Sequence, residues 1–474
     1  MNTSRKTVLL TGATGNMGRE AVKRLTARSG DLRLRVLIRP EERKHPLVKR
    51  IERDKTADIF WGDLTDAKSV EDAVRGADVV LHVGGLVSPL ADNLPPEVVT
   101  AVNVGGARNI VDAIKRVGDP QTTRLIYIGT VAETGSRNAP IHWGRTGDPI
   151  KISTYDHYAV TKTMAEAIVA ESGIRHWVSL RQSGMAHFDM WRMVDPIMFH
   201  NPVNGVFEWS TANDSGRLMA AMCDDDLPPE LWRGFYNIGG GETSRVTNHE
   251  YMAAFMPQYR DLLRPHWQAT RNFHGQWYAD SDRLEALVPF REQSVWDFLK
   301  EAPKHMPLAV RLAPKLIPGV VRKRIEALAN GPGGSLRWFA ENDEPKIRAY
   351  FGSRAAWEAI PRDWDSFEFT QPSREPTLLN HGYDETRAPE EWRLEDLKGA
   401  AMFRGGRCHA TDFQGPHAPV EWECAAGHRF SMTPNLYLKG GHWCPTCMLD
   451  PKTYDAEAKR SPFFAQVWTE EAGV

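Results

Sequence analysis

Short apolar runs alternate with amphipathic stretches over the first 180 residues of the chain. Runs without polar alternation, such as VVLHV at 79–83, are typical of strands buried on both faces of a sheet. We predict strands at residues 7–10, 34–38, 58–61, 79–83, 125–128 and 177–180. Helical periodicity predicts helices at residues 17–27, 96–117 and 158–172. Strands that alternate with helices form parallel βαβ units, so the pattern predicts a doubly wound parallel sheet.

The pattern changes near residue 303. Residues 303–318 are basic, apolar and interrupted by prolines, and we interpret them as a boundary element. The sequence NGPGG at 330–334 predicts a break in regular structure. Tryptophans recur after this break up to Trp468, which indicates a folded C-terminal region rather than a tail.

Composition and charge narrow the class of protein. The 474 residues include 59 basic and 61 acidic side chains, with 41% hydrophobic and 25% charged residues, which is the balance of an ordinary globular protein. This excludes a disordered chain, a collagen-like chain and a highly charged nucleic-acid-binding tail. No apolar run approaches the ~18 residues of a membrane span, and the start of the chain lacks a signal-peptide pattern. We therefore expect a cytoplasmic protein with no membrane partner.

Residues 11–18 read TGATGNMG, between a predicted strand and a predicted helix. Gly12 allows a tight turn, Gly15 lets a phosphate approach the backbone, and Gly18 lets the helix pack close to the strand. The start of the helix then offers free N–H groups and a partial positive charge. The loop therefore predicts a dinucleotide-binding site.

The end of the second predicted strand indicates which dinucleotide is bound. Sites for NAD commonly have an acidic residue there, whereas an arginine accommodates the 2′-phosphate of NADP. The strand here ends at Ile38 and is followed by Arg39, which favours NADP over NAD. Glu41 and Glu42 leave open the alternative that Arg39 is a surface residue in an ion pair.

Tyr158 and Lys162 are four residues apart in TYDHYAVTK and share one face of a predicted helix. A free tyrosine titrates near pH ~10, and a nearby ammonium lowers that pKa. Such a pair can move a proton to or from a carbinol oxygen. For the neighbouring Asp156 and His157 we favour solvent exposure or helix capping over substrate contact. We interpret His82, inside an apolar strand, as a hydrogen-bonded core residue.

These motifs together resemble the extended short-chain dehydrogenase/reductase superfamily, whose members include NAD(P)-dependent epimerases and dehydratases. TGATGNMG is similar to its TGxxGxxG loop and YAVTK to its YxxxK motif, within a resemblance that covers residues 5–290. The resemblance implies that Tyr158 is the acid/base, that Lys162 lowers its pKa and holds the ribose, and that Thr130 hydrogen-bonds the reacting oxygen. It implies cofactor contacts at Gly12, Thr14, Gly15, Asn16, Met17, Gly18, Arg39, Asp63, Leu64, Gly84, Asn103, Tyr158 and Lys162.

Four of the five cysteines lie near the end of the chain, in a pattern of metal ligands. A Cys424–His428 half-site precedes the CPTC knuckle of Cys444 and Cys447, and paired half-sites of this kind are typical of structural zinc. We assign the three sulfurs of this set as zinc ligands. The fourth ligand is either Cys408 or His428, and we favour Cys408 slightly because four thiolates make a closed site. His428 then supports the site from outside the ligand set. The segment resembles treble-clef or zinc-ribbon modules.

The expected fold is therefore α/β, with a doubly wound parallel Rossmann sheet and a small substrate-binding lobe. A C-terminal α+β region ending in a zinc-ribbon-like module follows it. We assign residues 1–300 to the NADP-binding domain, with the lobe mainly at 185–290. Residues 301–400 are a helical connecting region of unknown role, and residues 401–474 are the zinc-binding module.

The predicted function is that of an NADP-dependent oxidoreductase, which transfers a hydride between the nicotinamide and a carbinol or carbonyl of a small organic substrate. An epimerase or dehydratase of the same superfamily, with tightly bound cofactor, is one alternative. A non-catalytic NADP-sensing protein that acts through its zinc module is another. A homodimer and a protein or nucleic-acid partner of the zinc module are also left open.

Overall fold

The computed structural model describes residues 5–137 and 139–468. Residues 1–4 of the predicted NADP-binding domain and residues 469–474 of the predicted zinc-binding module lie outside the described residues. The strands are β1 (Lys6–Thr11), β2 (Leu32–Ile38), β3 (Asp58–Trp61), β4 (Val79–His82), β5 (Arg124–Thr130), β6 (Trp143–Gly144), β7 (His176–Gln182), β8 (Gly184–Ala186), β9 (Val206–Thr211), β10 (Gly234–Ile238), β11 (Arg245–Thr247), β12 (Trp277–Tyr278), β13 (Arg407–Cys408), β14 (Val420–Glu423) and β15 (Arg429–Met432).

Helices connect and cover these strands. They are α1 (Asn16–Ala27), α2 (Pro46–Asp54), α3 (Ala67–Val74), α4 (Pro96–Thr100), α5 (Gly106–Val117), α6 (His157–Ala170), α7 (Ala212–Ala221), α8 (Asn248–Phe255), α9 (Tyr259–Leu262), α10 (Asp282–Leu287), α11 (Val295–Glu301), α12 (Leu308–Leu316), α13 (Pro318–Ala329), α14 (Ser335–Glu341), α15 (Glu344–Phe351), α16 (Arg354–Glu358), α17 (Leu394–Phe403), α18 (Pro434–Leu438), α19 (Pro445–Met448), α20 (Tyr454–Ala458) and α21 (Pro462–Val467).

Seven strands form a parallel sheet in the order β10-β7-β5-β4-β1-β2-β3. The chain proceeds from β1 outward to β3, then returns to β4 and continues to the other edge, so the sheet is doubly wound. This confirms the predicted fold class. The direction of winding reverses between β1 and β4, which is where open α/β sheets bind ligands at the carboxyl ends of their strands.

Apolar side chains fill two layers, one on each face of this sheet. Helices α3, α5 and α6 cover one face, whereas α1, α2, α7 and α10 cover the other. Alternate residues of one strand enter opposite layers: Val79 and Leu81 pack in one and Val80 in the other. Each buried Val or Leu contributes about 1.5–3 kcal/mol, which explains why these runs carry no polar alternation.

A lobe of small sheets and helices lies beyond the parallel sheet. Strands β8, β9 and β11 form one small sheet, and β6 pairs with β12. Helices α12 to α16 follow. Between Glu358 and α17, residues 359–393, all of them described, contain no α-helix or strand, apart from a 3-10 turn at Pro389–Glu391. Four prolines, which lack the backbone N–H that a helix needs, interrupt this segment.

The C-terminal module packs directly against the parallel sheet. It contains α17, the antiparallel sheet β13-β14-β15 and the helices after it. Leu436 and Trp443 of the module share one apolar core with Trp177 of β7 and Phe235 of β10. Among the described residues, none of the helices has the length and apolar character of a membrane span.

Candidate functional site

The glycine loop lies where the winding of the sheet reverses, against the segment that follows β4. Gly12 has φ +71°, a conformation that side chains other than glycine rarely adopt. A Cβ on Gly12 would lie 2.7 Å from the Cα of Gly84, and a Cβ on Gly18 would lie 2.0 Å from the carbonyl oxygen of Gly12. These three glycines are therefore required by close backbone contacts within the loop.

Gly15 differs from its neighbours, because its Cβ position is open. A Cβ there would meet only the Gly12 carbonyl oxygen, at 3.4 Å. Gly15 is also the N-cap of α1, and no side chain caps the helix. The first N–H groups of α1, those of Asn16 and Met17 among them, thus face an open surface, while the Met17 side chain is buried in the core. This arrangement fits the phosphates of a dinucleotide.

An ion pair occupies the end of β2. The Arg39 Nη2 atom lies 3.0 Å from Glu42 Oε1, and the Arg39 side chain is 54% exposed. The same Glu42 oxygen accepts a hydrogen bond from Thr14 Oγ1 of the glycine loop at 3.0 Å. Both charges therefore lie beside the loop, at the position that distinguishes a ribose hydroxyl from a 2′-phosphate.

Two further segments border the loop. Leu64 packs against Gly84, in the segment that follows β4. A Cβ on Gly84 would lie 3.1 Å from Leu64 Cδ1. The adjacent Asp63 carboxylate accepts hydrogen bonds from the N–H and hydroxyl of Thr65. Asn103 is buried and holds the segment after β4 through two hydrogen bonds with the backbone of Leu86, at 2.8 and 3.0 Å. Asn103 thus fixes the conformation of the segment after β4.

Thr130, Tyr158 and Lys162 come together next to this loop, and all three are buried. Thr130 ends β5, and Tyr158 and Lys162 lie in the first turns of α6, which packs on β5. Thr130 lies near enough to Tyr158 to oppose the rise of its pKa. Lys162 Nζ donates to the Ile128 carbonyl at 2.6 Å. The structure therefore brings together the three residues that the sequence predicted as catalytic.

Burial controls the protonation of this group. Desolvation raises the pKa of Tyr158 well above its usual value, and Thr130 only partly opposes it. Tyr158 is therefore a neutral phenol. Burial also lowers the pKa of Lys162 to about 8, against the opposing charges of Glu133 and Glu166. The expectation that Lys162 makes Tyr158 more acidic is thus outweighed here by desolvation.

The neighbouring polar residues have structural roles. His82 is buried, its Nδ1 lies 3.0 Å from Thr11 Oγ1, and burial lowers its pKa to about 3. It is the hydrogen-bonded core histidine that the sequence predicted. Asp156 caps α6 by accepting from the Ala159 N–H at 2.8 Å. His157 Nε2 lies 3.0 Å from the Pro96 carbonyl oxygen.

Comparison with known proteins agrees with this geometry. Residues 8–181 match the NAD dependent epimerase/dehydratase family. The resemblance inferred from the sequence is confirmed for this part of the chain, which contains the glycine loop, Thr130, Tyr158 and Lys162.

Two curated relatives illustrate the range of the family match. The 3 beta-hydroxysteroid dehydrogenase type 7 of Homo sapiens is 30% identical over 174 residues, or 35% of this chain and 44% of that protein. The sanguinarine reductase of Eschscholzia californica is 37% identical over 109 residues, or 23% of this chain and 37% of the reductase. This chain therefore spans less than half the length of these relatives.

A solved structure aligns over a longer stretch at lower identity. The dTDP-glucose 4,6-dehydratase DesIV from Streptomyces venezuelae, with NAD and TYD bound, covers 66% of this chain and 99% of its own. The identity is 18% and the TM-score 0.49.

A buried set of charged side chains connects the site to the C-terminal module. Arg181 on β7 pairs with Glu166 on α6, and His442 Nε2 lies 2.9 Å from Glu166 Oε1. Glu133 lies 3.7 Å from Arg181 Nε and accepts from the Thr130 N–H. The acidic groups and His442 are close enough to hold a metal, but Arg181 already supplies the opposing charge. Sequence reasoning missed this set, because its members are far apart along the chain.

Three cysteines and one histidine form the candidate metal centre. His428 Nδ1 lies 3.5, 3.5 and 3.3 Å from the Sγ atoms of Cys424, Cys444 and Cys447, and the Sγ atoms of Cys424 and Cys447 are 3.9 Å apart. A tetrahedral zinc, with bonds of about 2.3 Å to sulfur and 2.0–2.1 Å to nitrogen, requires separations of about 3.5–3.8 Å. The four donors therefore fit zinc.

Cys408 lies outside this group in the part of the chain that the structure describes, so the preference for Cys408 as fourth ligand is corrected in favour of His428. Cys408, the last residue of β13, pairs with Trp422 of β14. Cys424 and His428 instead close the turn between β14 and β15, where the Cys424 N–H donates to the His428 carbonyl at 3.0 Å. The turn directs both side chains towards the start of α19, which carries the other two cysteines.

Proposed function

We propose that this chain is an oxidoreductase that uses a nicotinamide dinucleotide and acts on a carbinol or carbonyl of a small organic substrate. The observation that carries the proposal is the grouping of buried Thr130, Tyr158 and Lys162 at the end of β5 and the start of α6, in a sheet whose first helix begins at the uncapped N-terminus of Gly15. The match to an NAD dependent family supports the cofactor. The names of the relatives, a dehydrogenase and a reductase, support the type of reaction.

The residues divide the work as follows. The nicotinamide, when bound, supplies or accepts the hydride. Tyr158, as a neutral phenol, donates its proton to the carbonyl oxygen of the substrate as that oxygen gains negative charge, which leaves the phenolate. Thr130, beside the phenol, opposes the rise of the Tyr158 pKa and so favours this proton transfer. Lys162, fixed by the Ile128 carbonyl, places a positive charge behind the tyrosine and near the ribose.

Arg39 supports NADP as the preferred dinucleotide. Its guanidinium is half exposed at the end of β2, where it can turn towards a 2′-phosphate and bind it in a charge-assisted contact. Glu42 opposes this preference, because the phosphate has to compete with its carboxylate for Arg39.

We also propose that Cys424, His428, Cys444 and Cys447 bind a structural zinc ion. All four positions of a tetrahedral ion are then filled by the protein, so no position is open to substrate. The metal would stabilise the folded module rather than take part in the reaction.

The substitution Tyr158→Phe tests the proposed reaction. NADPH binding is followed by fluorescence, and turnover by NADPH consumption with a panel of aldehydes and ketones. We expect the variant to bind NADPH within about twofold of the wild type and to lose roughly 10²- to 10⁴-fold in turnover, which is the usual contribution of a general acid.

Tyr236→Phe is the matched control. Tyr236 lies on the edge strand β10, and its hydroxyl donates to the Glu230 carbonyl. Full turnover in Tyr158→Phe, or no binding of NADPH or NADH to the wild type, refutes the proposal. Cofactor that stays bound through purification, with no net consumption, supports the epimerase or dehydratase alternative instead.

A further inference from the structure

A cleft of about 190 Å³ lies at the start of α6, the helix that carries Tyr158. Ser153 to Asp156, directly before α6, form one wall. The loop after β4 contributes Ser88 and Asp92, and the lobe contributes Asp195 together with Trp338 and Tyr350 of α14 and α15. The region 301–400, to which the sequence assigned no chemistry, thus supplies part of the cleft.

Three carboxylates line this cleft without a lysine or arginine partner among the described residues. Asp92 accepts a hydrogen bond from Ser88 Oγ at 3.0 Å, and Asp195 caps the turn at Ile197. Asp156 lies 3.5 Å from His274 Nδ1. Within residues 5–137 and 139–468, no lysine or arginine forms an ion pair with any of the three carboxylates.

Lys346 lines the cleft and carries a positive charge, which pairs with a carboxylate outside the cleft lining. Its Nζ lies 3.0 Å from Asp343 Oδ2. Of the two histidines, His200 bonds to the Gly333 carbonyl and burial lowers its pKa, whereas His274 contacts Asp156 alone among the three carboxylates. The cleft therefore keeps a net negative charge.

Two buried hydroxyls in the same wall also lack partners. The side chains of Ser153 and Thr154 are 3% and 7% exposed. Neither Ser153 Oγ nor Thr154 Oγ1 has a hydrogen-bond partner among the described residues. A buried polar group left unpaired costs about 1–3 kcal/mol, so these two oxygens are acceptors that a ligand with N–H groups would satisfy.

The titration of Asp92 agrees with an uncompensated charge. Partial desolvation in the cleft, and then the neighbouring Asp156, raise its pKa to about 6, although the Ser88 hydroxyl opposes this. The negative charges of Asp156 and Asp92 also raise the pKa of Tyr158. A ligand in the cleft is thus within electrostatic range of the catalytic tyrosine.

We infer that this cleft binds a substrate that carries a protonated amine near its carbonyl or carbinol group. The carboxylates of Asp92, Asp156 and Asp195 attract the ammonium. Phosphorylated substrates and sugar nucleotides are disfavoured because like charges repel. The inference rests on the proposed function, since it names the substrate class of the same site.

Equilibrium binding of three small probes tests this inference without any nucleotide. Benzylamine, benzyl alcohol and benzoate have the same ring and carry positive, neutral and negative charge. We expect benzylamine to bind the full chain roughly fivefold or more tightly than the other two at pH 7.5. In Asp92→Asn/Asp156→Asn this preference should fall below about twofold. Calorimetry or saturation-transfer NMR gives the dissociation constants.

Glu52→Gln is the control, because it removes an exposed carboxylate on α2, on the other side of the glycine loop. If the double variant is unfolded by circular dichroism, Asp195→Asn and a pH series on the wild type replace it. Amine binding should then weaken as pH falls through about 6, where Asp92 is protonated.

Equal binding of the three probes, or an amine preference that survives in the double variant, overturns the inference. The two proposals fail separately. Loss of NADPH binding refutes the oxidoreductase while the amine site stands, whereas normal NADPH binding without amine preference refutes the substrate class alone.

Discussion

At the residue scale, the proposed preference for NADP depends on two side chains that follow β2, Arg39 and Glu42. Arg39→Ala removes the cation available to a 2′-phosphate, and a charge-assisted contact is worth about 1.5–3 kcal/mol. We therefore expect NADPH affinity to fall roughly tenfold or more, with NADH affinity nearly unchanged. Glu42→Gln releases Arg39 from its ion pair and should strengthen NADPH binding. Fluorescence titration with both nucleotides measures these changes, and an equal loss for NADH in Arg39→Ala contradicts the NADP assignment.

Individual residues were predictable where one segment determines their place. Gly12 and Gly18 follow from a strand, a tight turn and a helix in direct succession, and the buried His82 follows from its apolar strand. Cys408 was misassigned because spacing along the chain does not reveal that its strand pairs with β14 and holds it opposite Trp422. The charge of Asp92 in the cleft was missed, since the residues around it come from distant segments.

At the element scale, we expect two glycines at the start of α1 to have different roles: Gly18 in packing and Gly15 in dinucleotide binding. Gly18→Ala puts a Cβ 2.0 Å from the Gly12 carbonyl oxygen, so we expect about 1–3 kcal/mol of destabilisation from overpacking. Gly15→Ala meets only one atom at 3.4 Å and should leave stability within about 1 kcal/mol. Its methyl group occupies the surface that faces the phosphates, so NADPH affinity should fall roughly tenfold or more.

Urea unfolding and NADPH titration of both glycine variants distinguish the two effects. Equal destabilisation of both variants would mean that the loop is shaped by packing alone. Unchanged nucleotide affinity in Gly15→Ala would place the dinucleotide elsewhere. Elements of this kind were predictable from periodicity, whereas the irregular segment 359–393 was not, because its conformation depends on the surfaces that it crosses.

At the scale of the whole molecule, the C-terminal module and the parallel sheet are one packed unit. Arg181 Nη2 donates to the Gly440 carbonyl at 2.6 Å, and His442 reaches the buried Glu166. The two partners in each contact are more than 250 residues apart along the chain, so no local sequence pattern predicts these contacts. Composition alone divides the chain into regions, whereas the core that these regions share is visible only in three dimensions.

This joint packing means that metal loss should affect the sheet as well as the module. His428→Ala removes one of four zinc ligands, so we expect zinc content to fall well below one ion per chain and Tm to drop by roughly 5–10 °C. Cys408→Ser should keep one zinc per chain and an almost unchanged Tm. Elemental analysis and calorimetry give both quantities. Loss of zinc in Cys408→Ser, with retention in His428→Ala, would reverse the ligand assignment. Hydrogen exchange should also rise in β7 and α6 of His428→Ala, because His442 and Gly440 then no longer hold Glu166 and Arg181.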